Sequence, residues 1–141
     1  MTDKALIERK LAELEACLAG LEALKAVSAE DFRRNVERQW AAERGLQISV
    51  QIIIDISTHI LSAEGDTNIE DYTEVIDRLG KKGIIPDSFA AGIRGMAGFR
   101  NILVHEYAGV DLTVVYGLLQ NGIHDFRRFA GHISDYLRRG R

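Results

Sequence analysis

Apolar residues recur at steps of three and four along the first stretch of the chain, at Ile7, Leu11, Leu14, Leu18, Leu21 and Leu24, while Glu8, Glu13, Glu22 and Lys25 fall on other faces. That period predicts an amphipathic helix over residues 3–27. Ser28 with Asp31 three positions on resembles a capping arrangement in which aspartate stands in for glutamate, so a second helix is predicted to start there and run to about Ser62. Its middle, Ile48-Ser49-Val50-Gln51-Ile52-Ile53-Ile54-Asp55-Ile56, is rich in β-branched residues and partly satisfies a strand template as well. At helical spacing, however, Leu46, Val50, Ile53, Ser57, Ile60 and Leu61 form an apolar stripe, and Arg44, Gln47, Gln51, Asp55 and Thr58 form a separate polar one. Two coherent stripes predict a buried helix.

Glu64-Gly65-Asp66-Thr67-Asn68 reads as a loop, with Asn68 placed to cap a third helix that carries Tyr72, Val75, Ile76 and Leu79 and ends at Lys81-Lys82-Gly83. A fourth helix is predicted from Pro86-Asp87-Ser88 through Tyr107, and a fifth from about Asp111 to Arg138, after a break at Ala108-Gly109. The expectation is an all-α bundle of about five helices without a sheet, built as one domain over residues 1–141.

Composition narrows what such a bundle can do. Eighteen Lys and Arg against 21 Asp and Glu leave a net charge of -3, so bulk charge does not bind nucleic acid and any such site must be a local patch. Cys17 is the one cysteine, which excludes an internal disulfide and a Cys-rich zinc site. The apolar runs are interrupted by Gln51, Asp55 and His59, short of the ~20 apolar residues of a membrane span, and the opening residues lack the apolar block of a secretory signal. A cytoplasmic protein without a membrane association is expected.

The predicted fourth helix holds the concentration of chemistry. Gly92, Gly95 and Gly98 each cost about 1 kcal/mol relative to alanine in an exposed helix interior, which suggests close approach of another helix or a ligand. Beyond them, Arg100, Asn101, His105 and Tyr107 share one broad face, while Met96, Phe99, Ile102 and Leu103 occupy the other. A histidine exchanges protons near neutral pH and an arginine fork fits phosphate oxygens, a pairing suited to phosphodiester chemistry. Spacing alone equally admits a solvated face or a hydrogen-bonded pair. Asp55 admits two readings: a helix-surface or buried hydrogen bond to Arg44 or Gln51, or an acidic support for the Arg100 and His105 cluster. His124, Arg127, Arg128, His132, Arg138, Arg139 and Arg141 give the last segment a basic excess, read either as a solvated face or as a track for an RNA backbone. Cys17 reads as a packed small residue.

Arg100-Asn101-Ile102-Leu103-Val104-His105-Glu106-Tyr107 resembles the Arg-x4-His-x-Tyr signature of the HepT family, toxin ribonucleases within the wider HEPN group of helical domains. Ala42-Glu43-Arg44-Gly45-Leu46-Gln47 leading to Asp55-Ile56, then Tyr72-Thr73-Glu74-Val75-Ile76, Gly83-Ile84-Ile85-Pro86, Met96-Ala97-Gly98-Phe99 and Val110-Asp111 are similar to the family in the same order, across most of the chain. The resemblance implies a HEPN-like helical bundle that forms a homodimer, with both copies of the motif meeting in one cleft. It also implies an endoribonuclease that needs no metal and no cofactor, with Arg100 and His105 catalytic and Asn101, Tyr107 and Asp55 in supporting or RNA-binding roles. Its implied partners are an RNA substrate and a cognate minimal nucleotidyltransferase antitoxin of the MntA type, in a type VII toxin–antitoxin pair. That antitoxin would silence the toxin by binding, in a complex that can exceed one dimer, and by transferring AMP to a tyrosine. Some relatives carry a tyrosine inside the x4 segment; this chain has Asn101-Ile102-Leu103-Val104 there, which leaves Tyr107. Two other readings keep the fold: a catalytically inactive binding module, and a nucleotide-binding accessory subunit.

Overall fold

Helix starts in this chain are set by side chains that satisfy otherwise orphaned backbone N–H groups. The structure, a computed structural model, describes residues 2–69, 71–96 and 111–140. Among these residues the elements are α1 (Lys4–Lys25), α2 (Ala29–Arg34), α3 (Val36–Ala63), α4 (Tyr72–Lys81), α5 (Asp87–Ile93) and α6 (Leu112–Arg138), with no strand. Asp3 accepts from the Leu6 N–H at 3.0 Å, Ser28 from Asp31 at 3.2 Å, Asn35 from Arg38 at 3.0 Å, Asp71 from Glu74 at 2.9 Å and Asp111 from Thr113 at 2.9 Å. The all-α class is as expected; among the described residues the elements number six.

The extra element comes from a break in the predicted 28–62 helix. Asn35 adopts an extended backbone (φ -120°, ψ 100°), closing α2 and capping α3 with its own side chain. An Asn side chain that bonds the backbone locally competes with helix continuation. The break is reinforced from the other side: Gln39 Nε2 donates to the carbonyls of Phe32 and Arg33 at 2.9 and 3.0 Å, satisfying groups that the end of α2 leaves open. It also turns Phe32 inward, where it is buried with its ring 5.4 Å from that of Tyr116.

A second correction concerns the cap of α4, which is Asp71 and not Asn68. Asn68 contributes its carbonyl instead, to the Arg78 guanidinium, which also pairs with the carboxylates of Asp66 and Glu74. The loop before α4 is therefore wrapped around one arginine, whose pKa rises above its ordinary value chiefly through the hydrogen bond to Glu74. The third correction is at α5, which closes at Ile93 with a turn at Arg94 and Gly95. Residues 97–107, half of the predicted fourth helix and including Gly98, lie outside the described residues. At Gly92 and Gly95 an added Cβ meets nothing within 4 Å among the described residues, so no tight packing there explains these glycines.

Helix α3 runs through the centre, packed by α1, α2, α4 and α6. Leu46, Val50, Ile53, Ser57, Ile60 and Leu61, the predicted stripe, are all buried, and so are Ile52, Ile54 and Ile56. Ser49 and Ser57 donate to the carbonyls four residues back, Gly45 and Ile53, at 2.8 and 2.7 Å, so neither buried hydroxyl is left unpaired. By length and mean hydropathy (1.3) this helix could cross a membrane, yet 56% of the apolar window is buried among its neighbours, as in the core helix of a bundle. Against α1 the approach is close: a Cβ on Gly45 would lie 2.6 Å from Leu21 Cδ2, and Cys17 Sγ sits 3.2 Å from the Gly45 carbonyl and from Ser49 Oγ. Cys17 is thus a packed residue. Helix α6 lays Val115, Leu119, Ile123, Phe126, Phe129 and Ile133 into the same core. Its Tyr116 hydroxyl and Gln120 amide donate to the carbonyls of Val27 and Lys25 at 2.7 and 2.8 Å, tying down the end of α1.

Candidate functional site

The polar stripe of α3 is what the described residues offer as a continuous chemical surface. Because the opposite side of the helix is apolar and buried, Trp40, Arg44, Gln47, Gln51, Asp55 and Thr58 are held on one outward face, each three or four positions from the next. Asp55 lies on this face with its side chain 43% exposed, so the stripe is a surface and not an interior feature. Gln51 Nε2 donates to Asp55 Oδ1 at 2.8 Å, and Lys10 Nζ of α1 stands 3.9 Å from Asp55 Oδ2. Of the two partners expected from sequence for Asp55, Gln51 is the one bonded. His59, four residues on, points elsewhere and accepts the Asp3 N–H at 3.3 Å. Nearer the start of α3, partial burial raises the pKa of Glu43 above the ordinary carboxylate range.

Arg100, Asn101, His105 and Tyr107 lie outside the described residues. Their segment leaves the described structure after the buried Met96 and re-enters at Asp111, the cap of α6. Beside Met96, a cleft of about 230 Å³ opens between the end of α5 and α6, lined by Gly92, Ile93, Leu118, Gly122 and Phe126 among others. Arg94, in the turn after α5, pairs with Asp77 of α4 at 3.3 Å and so ties the end of α5 to α4. Among the described residues no group of three His, Cys, Asp or Glu side chains converges.

The basic segment of α6 is engaged in tertiary ties. Arg127 binds Glu15 at 3.2 Å and Glu22 at 2.9 Å across to α1, and these hydrogen bonds, Glu15 first, raise its pKa above the ordinary value. Arg128 sits 4.7 Å over the Phe89 ring, and His132 packs against that same ring at 4.7 Å. Arg138 pairs with Asp135, while Arg139 donates to the carbonyls of Ile84 and Gly83 at 3.4 and 3.5 Å. Of these basic residues, read as a solvated face or as an RNA track, Arg127, Arg128, His132, Arg138 and Arg139 have partners within the fold, and Arg141 lies outside the described residues. Two residues at the α3 face, Lys10 of α1 and Trp40 of α3 itself, went unanticipated. Lys10 has no local signal, since it lies 45 positions from Asp55 in sequence. Trp40 does, because it falls four positions before Arg44, on the polar stripe, and it is 66% exposed.

Comparison with known proteins agrees with this architecture. The tRNA nuclease HepT of Aphanizomenon flos-aquae is 32% identical over 139 residues, covering 96% of this chain and 92% of its own. The mRNA nuclease HepT of Shewanella oneidensis is 23% identical over 124 residues, covering 88% of this chain and 92% of its own. The solved structure of the tri-AMPylated Shewanella oneidensis HEPN toxin, in complex with its MNT antitoxin, matches with a TM-score of 0.82 at 24% identity, over 96% of this chain and 99% of that one. At that identity the structural match shows a shared fold. The family model described as ribonuclease HepT-like matches residues 7–133, a span that contains both the α3 face and the Arg100 to Tyr107 motif, and the chain belongs to that family.

Proposed function

We propose that this protein is the toxin of a toxin–antitoxin pair, a metal-independent endoribonuclease that works as a homodimer of one domain per chain, with Arg100 and His105 of both chains in a shared cleft. The carrying observation is the family match over residues 7–133 with Arg100, His105 and Tyr107 inside it at the Arg-x4-His-x-Tyr spacing. RNA supplies its own nucleophile. One His105 imidazole takes the 2′-hydroxyl proton, the 2′-oxygen bonds to phosphorus, and the Arg100 guanidinium neutralises the charge that builds on the phosphoryl oxygens. The P–O5′ bond breaks, and the departing 5′-oxygen takes a proton from the second imidazole, leaving a 2′,3′-cyclic phosphate and a 5′-hydroxyl. Asn101 orients the phosphate or the imidazole, Tyr107 hydrogen-bonds substrate, and Asp55 is an acidic support beside them.

Control would come from a minimal nucleotidyltransferase, as the antitoxin in the Shewanella oneidensis complex suggests. The Tyr107 hydroxyl would attack the α-phosphorus of ATP with loss of pyrophosphate, adding a bulky anion next to the phosphate-binding arginine. The relatives are named for different RNAs, tRNA and mRNA, so the target is set apart from the chemistry. The test is incubation of the purified protein and His105→Ala with total RNA, with and without EDTA. Cleavage by the wild type in EDTA, ending in cyclic phosphates and lost in His105→Ala, supports the proposal. Intact RNA with all preparations favours the inactive binding module, and activity abolished by EDTA removes the metal-independent mechanism.

A further inference from the structure

Trp40 is the one tryptophan of the chain and, with Val36, one of two large apolar side chains exposed among the described residues, at 66% and 50%. It projects from α3 one turn before Arg44, on the face that continues through Gln47 and Gln51 to Asp55. We propose that Trp40 is a base-stacking platform for single-stranded RNA, with Arg44 contacting the adjacent phosphate and the α3 face leading the strand toward Asp55. The inference rests on the ribonuclease reading and adds to it a substrate contact outside the Arg100 to Tyr107 motif.

An indole presents a flat π surface on which any base can stack, and a guanidinium beside it supplies the charge that a phosphate needs. A protein partner would ask for something else, since the buried centre of an interface is apolar and depleted in charge. Here Glu37, Glu43 and Arg44 lie one turn from Trp40, and beyond Val36 the face is polar. The carboxylates flank the ring and Arg44 lies along the axis of the face, so the backbone is favoured on the Arg44 side. The chain's net charge of -3 makes such a mixed stacking site more suitable than a purely ionic one.

Because no other tryptophan contributes, the intrinsic emission of the intact protein reads this side chain alone. The ligand is a labelled single-stranded 2′-O-methyl oligonucleotide of ~12 nucleotides, within the usual span of such sites, whose blocked 2′-oxygen prevents cleavage. Titration is expected to quench the emission with the same midpoint as the anisotropy of the label. Trp40→Ala should bind about 5- to 150-fold more weakly, and Trp40→Phe should retain most of the affinity. Since the side chain is exposed, both variants should unfold at the wild-type temperature. RNA that binds with unchanged emission and unchanged affinity for Trp40→Ala overturns the assignment while leaving the ribonuclease reading intact. Emission that responds to protein concentration or to the antitoxin, and not to RNA, makes Trp40 a protein contact and also overturns it. A wild type that neither binds this oligonucleotide nor cleaves total RNA removes both proposals together.

Discussion

Gly80→Ala tests how closely α4 and α5 are packed. A Cβ at position 80 would lie 2.7 Å from Ala90 Cβ, 2.8 Å from Asp87 Oδ1 and 3.3 Å from Asp87 Cα. The Asp87 carboxylate can rotate aside; the Ala90 methyl and the Asp87 backbone cannot. Carbon atoms prefer separations of ~3.5–4.0 Å, so α5 has to withdraw by about 1 Å. Overpacking of this kind costs ~1–3 kcal/mol, against which alanine recovers ~1 kcal/mol of helix propensity. The expected result is a net loss of about 1 kcal/mol. Gly20 and Gly131 supply the control: both are exposed helix positions where an added Cβ meets nothing within 4 Å. Gly20→Ala and Gly131→Ala should therefore gain up to ~1 kcal/mol. At ~3–5 °C per kcal/mol for a chain of this length, thermal unfolding should separate Gly80→Ala from the controls by roughly 6–10 °C. A Gly80→Ala protein as stable as Gly20→Ala would refute the reasoning.

Phe129 is fully buried in the core, so Phe129→Ala should lose ~3–5 kcal/mol in urea unfolding, and a loss under 1 kcal/mol would mean that α6 does not pack there. Glu43 is held above the ordinary carboxylate range by burial, so the native state binds its proton more tightly than the unfolded chain and loses stability as pH rises through that raised value. Glu43→Gln should consequently gain on the wild type between pH 4 and pH 7 in denaturant titrations, and a difference independent of pH would contradict the burial effect. The Arg127 pairs with Glu15 and Glu22 are partly exposed, with side-chain exposures of 38%, 60% and 45%. Double-mutant cycles should give couplings of ~0.2–1 kcal/mol per pair that shrink toward zero near 1 M NaCl; couplings that persist in salt would point to a drier contact than the exposures indicate.

The start points of α1, α2 and α6 were legible because a cap is a local device. Asp3, Ser28 and Asp111 do their work within three residues of themselves, and Ser28 with Asp31 could be read directly. The orientation of α3 was legible for the same reason, since Leu46 through Leu61 repeat at the helical period and the buried side follows from it. Asn35 was not, because an asparagine within an otherwise helical run is common, and what ends α2 is the combined pull of its own side chain and of Gln39 reaching back to two carbonyls. Asp71 displaced Asn68 as a cap because Arg78, ten residues beyond Asn68, gathers the loop around itself. Of the candidate site, the Arg100 to Tyr107 motif was readable as a spacing of residue types in the sequence, and Asp55 as part of a polar stripe.

By itself the order of amino acids determined the helical class, the inward face of each long helix and the family motif, since all three depend on residues within a few turns of one another. Only the tertiary structure decided that Lys10 meets Asp55, that Glu15 and Glu22 hold Arg127, that α4 and α5 touch at Gly80, and that Trp40 stays in solvent. Those outcomes depend on distances between segments up to 112 positions apart, which are set when the helices pack around a common core and not by any local preference.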